Sequence, residues 1–222
     1  AITYNPETGK GGTVMGLRFR DFKIKKYNKE HLNVLENLMY LKDHKTDIKF
    51  DKFSYSDYLQ SYAIVAIKDA VGPDLTEYHK IGRVDAQSVE ELEGATEVPD
   101  PEEGASKFID PFYAKGFDEK DIVALSFIYI YGNYRTHYEK TYTTHCNFEN
   151  DYYKYLINED NPNRFALDKI LLGDSKLKEC VELFAGDKKE FFDAFSDAYL
   201  KLNTLGNDDK NLYLEMPEKY EY

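Results

Sequence analysis

The densest run of apolar positions in the chain is DIVALSFIYIYG, which covers Asp121–Gly132. Asp121 is a residue that commonly starts a helix, Gly132 is one that commonly ends it, and Ser126 is the one clear interruption of the apolar run between them. A segment this apolar, flanked by charged stretches, belongs in the interior of a protein. The pattern therefore predicts a buried helix that carries Tyr129 near its end.

Apolar residues recur at helical spacing in several other segments, whereas the alternating pattern of strands is weak throughout. Ser54, with Asp57 three residues later, is typical of a helix start. Leu205 and Gly206 are typical of a helix stop. These signals predict a mainly α protein. The predicted helices are Asn28–Lys42, Ser54–Val71, Asp121–Gly132, Asp151–Ile157, Leu177–Phe184 and Lys188–Leu202, with shorter apolar pieces at Phe108–Gly116 and Asp168–Leu172.

Long irregular segments separate these helices. Ala1–Gly16 is punctuated by glycine and proline, and Gly72–Gly104 is rich in glycine, proline and acidic residues. A loop as long as the second usually carries function or packs its own side chains. Asn133–Asn163 is polar and aromatic, and the charged tail Asn207–Tyr222 has no period. We expect residues 1–222 to form a single domain, which a chain of this length allows.

Composition and charge narrow the classes of function. With 42% hydrophobic and 15% aromatic residues among 222, the chain can bury a sizeable core. The net charge of −12 argues against nucleic acid, which needs clustered positive charge to neutralise its phosphates. No apolar stretch approaches the ~20 residues that cross a bilayer as a helix. The 20 tyrosines favour protein interfaces, because a tyrosine ring buries area while its hydroxyl finds a polar partner.

The cysteines and histidines do not form a recognisable metal or redox pattern. Cys146 and Cys180 are the two cysteines, and no Cys-x-x-Cys spacing is present. His137 and His145 lie near Cys146, but no second pair stands at ligand spacing. We expect two free thiols or one bridge, and no metal site. The other histidines stand in polar stretches and are expected at the surface: His31, His44 and His79.

Several short segments, spread over nearly the whole chain, carry a family resemblance in their order along it. They are Thr3–Phe19 with its Thr8-Gly9-Lys10-Gly11-Gly12 motif, Ser54-Tyr55-Ser56-Asp57, Gly82-Arg83-x-Asp85, Asp121–Ser126, Asp168-Lys169-x-Leu171-Leu172 and Phe191–Gly206. Together they resemble the class I haem peroxidases, closest to the ascorbate peroxidases and related to cytochrome c peroxidase. Asp121–Ser126 is similar, letter for letter, to the start of the family's proximal helix. The resemblance implies a haem-peroxidase-like helical fold.

The resemblance also implies a haem site with chemistry on both faces of the ring. A proximal imidazole binds the iron and is hydrogen-bonded to a buried carboxylate, while a distal His and a distal Arg act on the peroxide. Tyr129 stands where the family has the proximal His, and Asp168 keeps the carboxylate. Asn28 falls where the family has an Asn that orients the distal His. Phe127 replaces a small residue beside the ligand, and its bulk would fill volume left by a missing cofactor.

The distal His and Arg of the family lie on a helix that would precede Thr3. Ala1 and Ile2 are the residues that stand before the matching loop, so we expect a peroxidase-like fold that lacks the distal helix. With the proximal His replaced as well, the resemblance predicts a pseudo-peroxidase that binds no haem and has no catalytic residues.

Two interpretations of Tyr129 stay open at this point. One is an iron ligand in the phenolate form, as in catalase, but a phenol with a pKa of about 10 needs a nearby Arg to stay ionised. Arg135 lies two helical turns away and beyond Gly132, so nothing local supplies that charge. The other interpretation, which we favour, is a core tyrosine whose hydroxyl is hydrogen-bonded to Asp168.

The predicted function is a non-catalytic scaffold. Its tyrosine-rich surface would make it an accessory subunit, peripheral on a larger organellar membrane-protein complex that is photosynthetic or respiratory. A branch of the family in the thylakoid lumen also lacks haem ligands and has been linked to photosystem II, so the lumen is predicted ahead of the mitochondrion. The alternatives are a haem enzyme with Tyr129 as its proximal ligand, and a small-molecule or metal-binding module in the vacated cavity, bounded by Phe127, Tyr129 and Asp168.

Overall fold

The fold is mainly helical, which confirms the predicted class. A computed structural model describes residues 4–9, 40, 43–44, 54–85, 98–137, 148–158, 164–207 and 211–213, without the side chains of 130 and 132–137. These residues hold an isolated antiparallel bridge between Ile81 and Tyr213 but no strand, and no helix among them is long and apolar enough to cross a membrane. Short 3-10 helices lie at Thr76–Tyr78 and Pro101–Glu103. The α-helices are α1 Tyr55–Asp69, α2 Ala105–Tyr113, α3 Glu119–His137, α4 Asp151–Leu156, α5 Ala166–Gly173, α6 Ser175–Gly186 and α7 Lys188–Thr204.

The chain divides into two compact units. Unit 1 consists of Ala1–Val65, Thr76–Thr96 and Asn203–Tyr222, and unit 2 consists of Ala66–Leu75 and Glu97–Leu202. The single-domain organisation of residues 1–222, and the absence of a distal helix, stay predictions.

A buried ion pair organises unit 1. The carboxylate of Asp57, on α1, lies 2.8 Å from Nη1 of Arg83. Asp57 also accepts the backbone N–H groups of Gly82 and Arg83. Nε and Nη2 of Arg83 donate to the carbonyl of Asn203 in the last turn of α7. Gly82 has a φ of 116°, and a Cβ atom there would stand 2.3 Å from the carbonyl oxygen of Asn211, so the turn requires glycine.

The start of α1 is capped from two directions. The Ser54 hydroxyl accepts the N–H of Asp57 at 2.9 Å, which confirms the predicted helix start. Asp85 accepts the N–H groups of Tyr55 and Ser56 at 2.7 and 2.9 Å. It therefore satisfies two donors that have no partner within the helix, and its charge interacts favourably with the helix dipole.

His79 is half-buried in unit 1, whereas its polar context in the sequence predicted a surface position. Its Nε2 lies 2.9 Å from the Ser61 hydroxyl, and its Nδ1 is buried without a hydrogen-bond partner. Burial and the charge of Arg83 lower the pKa of His79 to about 4, against an opposing effect of Asp57. The prediction was wrong because polar neighbours in the sequence do not report how a loop packs on α1. His44 is exposed, as predicted.

The core of unit 2 contains a large group of aromatic side chains among its aliphatic ones. Tyr153 is fully buried in this core, and its hydroxyl donates to the carbonyl of Val123 at 2.9 Å. Burial raises the pKa of Tyr153 well above its usual value, so this hydroxyl stays neutral. The buried aromatic residues around it, which we call the aromatic cluster, are Phe127, Phe148, Tyr152, Tyr153, Phe184, Phe191 and Phe195.

The structure corrects both predicted ends of the central helix. The Asp118 carboxylate accepts the N–H of Asp121 at 2.8 Å, and the Asp121 carboxylate accepts the N–H of Asp118 at 3.2 Å. Asp118 is thus the cap of α3, and Asp121 is its reciprocal partner in the third helical position. At the other end, α3 continues through Gly132 to His137. A single glycine inside a helix costs only about 1 kcal/mol and leaves the backbone hydrogen bonds intact.

The other predicted elements fall into two groups. Helices α1, α4, α6 and α7 lie where the sequence predicts helices, and the two short apolar pieces become α2 and α5. A turn at Leu205-Gly206 follows α7, as predicted. The predicted helix Asn28–Lys42 lies almost wholly outside the described residues, within which Tyr40 is helical.

Candidate functional site

Tyr129 lies on α3 with 37% of its surface exposed. Its ring meets Phe108 edge to face, with 6.5 Å between the ring centroids. Partial burial raises the pKa of the Tyr129 phenol, and the carboxylates of Asp100 and Glu102 raise it further. Each of these influences favours the neutral phenol. A phenolate ligand requires the opposite.

Asp168 is fully buried at the start of α5, with 0% of its surface exposed. Its Oδ1 accepts the hydroxyl of Tyr152 at 2.9 Å, and its Oδ2 accepts the backbone N–H of Phe165 at 3.0 Å. Burial raises the pKa of Asp168, and these two hydrogen bonds oppose that rise. The carboxylate is therefore held by a tyrosine from α4 and by the first turn of its own helix.

The prediction of a hydrogen bond between Tyr129 and Asp168 is wrong. The hydroxyl that donates to Asp168 belongs to Tyr152. The sequence pattern predicts that Tyr152 lies in a short helix but gives no signal for this partner. The tyrosines of that segment are equivalent in pattern, and packing alone selects the one whose hydroxyl reaches the carboxylate. They are Tyr152, Tyr153 and Tyr155.

Phe127 is buried in the aromatic cluster. Its ring centroid lies 4.5 Å from that of Phe148, 5.1 Å from Phe191 and 6.4 Å from Tyr152. Phe127 and Asp168 therefore share Tyr152 as a neighbour. The described ring contact of Tyr129, two residues further along α3, is with a different residue, Phe108.

Other candidates fall partly outside the described chain. Asn28, His145 and Cys146 lie there, as does the side chain of His137, so their roles stay predictions. Cys180 is a free, half-buried thiol whose pKa is raised by burial, which disfavours the reactive thiolate. Within the ranges that the structure describes, no three His, Cys, Asp or Glu side chains form a group that could hold a metal ion.

Tyr129 and Asp168 do not form the pair of ligand and supporting carboxylate that the resemblance implies for a haem iron. Such an iron needs a ligand whose basicity is supported by a second group. Tyr129 stands at the position that the resemblance gives to the ligand, but burial and the carboxylates of Asp100 and Glu102 raise its pKa. The supporting carboxylate of Asp168 is engaged by Tyr152 instead. Membership of Tyr129, Asp168, Asn28 and Phe127 in a vestigial haem pocket stays a prediction.

Replacing Tyr152 by Phe tests the hydrogen bond that occupies Asp168. The substitution keeps the ring in the aromatic cluster and removes the donor to the carboxylate. We expect the free energy of unfolding to fall by about 1–3 kcal/mol, because a buried charged acceptor loses a partner. The loss should be larger near pH 7 than near pH 4, as measured by urea unfolding followed by circular dichroism.

The sign of that pH dependence follows from proton linkage. A carboxyl whose pKa is raised in the folded protein binds its proton there more readily than in the unfolded chain, so its unfavourable contribution appears as the pH rises. Removing the Tyr152 hydroxyl should raise the pKa of Asp168 further. Tyr153→Phe is the matched control, because its acceptor is the carbonyl of Val123 and its cost should not change with pH. Equal pH dependence of both variants would contradict this assignment.

Comparison with known proteins agrees with the helical architecture. The peroxidase family matches residues 8–187. The peroxisomal L-ascorbate peroxidase 5 of Arabidopsis thaliana is 32% identical, over 93% of this chain and 72% of its own length. The chloroplastic L-ascorbate peroxidase T of the same plant is 30% identical, over 95% and 54%. Its cytosolic L-ascorbate peroxidase 2 is 32% identical, over 72% and 64%. The chain thus spans about half to three quarters of the length of these relatives.

Proposed function

The chain belongs to the peroxidase family, and from this premise we propose that it is a non-catalytic member, a pseudo-peroxidase that binds no haem. The observation that carries the proposal is the hydrogen bond from Tyr152 to Asp168. By resemblance, this carboxylate would support an iron-bound imidazole, and here a phenol satisfies it. The raised pKa of Tyr129 adds support, since a neutral phenol is a poor iron ligand.

We propose further that the retained scaffold is an accessory subunit, peripheral on a larger organellar membrane-protein complex. Several described tyrosines expose much of their surface, which suits an interface because the ring buries area while its hydroxyl stays hydrogen-bonded. The peroxisomal and chloroplastic names of two relatives support an organelle. Within that choice, the thylakoid lumen and a photosynthetic complex stand ahead of the mitochondrion and a respiratory one. The exposed tyrosines among the described residues are Tyr40, Tyr62, Tyr78, Tyr113, Tyr129 and Tyr213.

The alternative is a haem peroxidase-type enzyme that uses Tyr129 as an unusual proximal ligand. The names of the relatives favour it, because each of them is a peroxidase. Family membership is equally consistent with both functions. The carboxylates of Asp100 and Glu102 near Tyr129 speak against the alternative, because they disfavour the ionised phenol that iron would need.

Titration of the purified chain with hemin separates the two functions. We expect no defined Soret band from the native protein and an unchanged titration for Tyr129→Phe, because the described surroundings of Tyr129 favour its neutral phenol. Tyr113→Phe is the control, since Tyr113 is an exposed tyrosine on α2, outside the predicted pocket. Absorbance near the Soret maximum is the measurement.

The alternative makes the opposite prediction for the same three proteins. A defined Soret band that is lost in Tyr129→Phe and kept in Tyr113→Phe would replace the non-catalytic function with the enzyme. Weak hemin binding that is equal in all three proteins reports adsorption to apolar surface, and it leaves Tyr129 without a role as ligand.

A further inference from the structure

The ring of His79 connects a loop of unit 1 to α1. Its Nε2 lies 2.9 Å from the hydroxyl of Ser61, in the middle of α1. Its Nδ1 is buried and has no hydrogen-bond partner among the described residues. A neutral imidazole carries a proton on one nitrogen and a lone pair on the other. The neutral ring therefore fits best with its proton on Nε2, which donates to Ser61 and leaves the lone pair of Nδ1 unpaired.

A protonated ring does not fit the same site. Both nitrogens of an imidazolium are donors, so Nδ1 would become a buried N–H without an acceptor, which is costly. The carboxylate of Asp57 acts on the ring from α1. However, Asp57 already accepts the backbone N–H groups of Gly82 and Arg83 and pairs with Nη1 of Arg83. The hydrogen bonds of the site are thus complete for a neutral ring and incomplete for a charged one.

The charges around His79 act in the same direction. Arg83, from the same segment, disfavours a second positive charge, and its effect exceeds the opposing one of Asp57 from α1. The guanidinium is fixed in place, because it donates to the Asp57 carboxylate and to the carbonyls of Asn203 and Lys80. Burial has the largest effect, and together with Arg83 it lowers the pKa of His79 to about 4.

We propose that the contact between His79 and α1 is an acid-sensitive switch in unit 1. Protonation opens it, because the charged ring finds acceptors for both N–H groups by leaving Ser61 and moving into water. The ring binds its proton more weakly in the folded chain than in the unfolded one. Its contribution to stability is therefore complete above a pH of about 6.5 and is lost as the pH falls from there towards about 4. This switch is independent of haem binding.

Urea unfolding of the full chain near neutral pH and at about pH 5, followed by circular dichroism, tests the switch. His79→Gln keeps a hydrogen-bonding group for Ser61 but cannot be protonated. On acidification, the equilibrium constant for unfolding should rise about tenfold more for the native chain than for this variant, since each unit between folded and unfolded pKa values is a factor of ten. His44→Gln is the matched control, because His44 is exposed and stacks on Tyr40, and it should follow the native chain.

Nuclear magnetic resonance of the ring nitrogens gives a second readout that needs no folded variant. In the folded native chain we expect one of the five histidine rings to stay neutral at about pH 5.5, and its signals to be absent from His79→Gln. Five rings that all titrate near their usual pKa would overturn the proposal. So would an equal response to acid in the native chain and His79→Gln, or an acid response that His44→Gln abolishes as well.

Discussion

Replacing Phe127 by Ala should lower the free energy of unfolding by about 3–5 kcal/mol, as expected for removing a buried phenyl ring from a packed core. The ring lies 4.5 Å from Phe148 and 5.1 Å from Phe191, centroid to centroid, so its removal leaves a cavity that these rigid neighbours cannot close. Because the chain has no Trp, urea unfolding is best followed by far-ultraviolet circular dichroism.

Ile128→Ala provides a neighbouring control for this prediction. Ile128 follows Phe127 on α3 but exposes 38% of its surface, so its truncation should cost less than about 1 kcal/mol. Comparable losses in the two variants would mean that Phe127 is not an essential part of the aromatic cluster.

The Phe127→Ala variant also tests hemin binding. If Phe127 alone excluded haem, the cavity of Phe127→Ala would allow hemin to bind with a defined Soret band. We expect no such band, because Tyr152 still holds Asp168 and Tyr129 stays neutral. A band in this variant would locate the expected block to haem binding in the volume of the Phe127 side chain, and not in the contacts of Tyr129 and Asp168.

The sequence was sufficient for the helices whose signals are local. Ser54 accepts a hydrogen bond from the N–H of Asp57, three residues away, and the apolar run of α3 is buried from Ile122 to Phe127. Such features depend on neighbours within one or two helical turns, which a periodic pattern contains. The end of α3 was missed at Gly132 because the small cost of a glycine there is outweighed by the rest of the helix.

The candidate site was harder to predict because its contacts join distant parts of the chain. Resemblance placed Tyr129 and Asp168 at related positions of the family, and a bond between them followed from that placement. In the structure, the hydroxyl comes from Tyr152 on α4. The periodicity of apolar residues within a helix does not indicate that α4 contacts α5. The raised pKa of Tyr129 likewise depends on its partial burial and then on Asp100, in a loop that precedes α2. Packing between elements decides both features.

The segments that carry the family resemblance have different roles in this structure. Gly82, Arg83 and Asp85 cap and anchor α1 through their hydrogen bonds. The position at which the resemblance expects an iron ligand holds a neutral tyrosine with other contacts. Retained structural bonds beside an altered ligand position are what a pseudo-peroxidase would show, and they support the proposed function.

Arg83→Met should be as damaging in unit 1 as Phe127→Ala is in unit 2, with a loss of about 3–5 kcal/mol in the free energy of unfolding. Methionine replaces the aliphatic stem of arginine but none of its donors. The side chains of Asp57 and Arg83 are only 5% and 4% exposed, so the Asp57 carboxylate would stay buried without its cation. The carbonyl of Asn203 would lose both of its guanidinium donors. Urea unfolding at neutral pH measures the loss.

Two further variants separate burial from charge as the cause. Lys68→Met breaks an ion pair with Asp74 in which both side chains are about half exposed, so it should cost at most about 1 kcal/mol. Adding Asp57→Asn to Arg83→Met removes the stranded charge and should restore part of the stability, because the two residues form one unit. If the double variant were as unstable as the sum of the single ones, the loss would come from packing. The resemblance segment around Arg83 would then stabilise the fold by its shape and not by its ion pair.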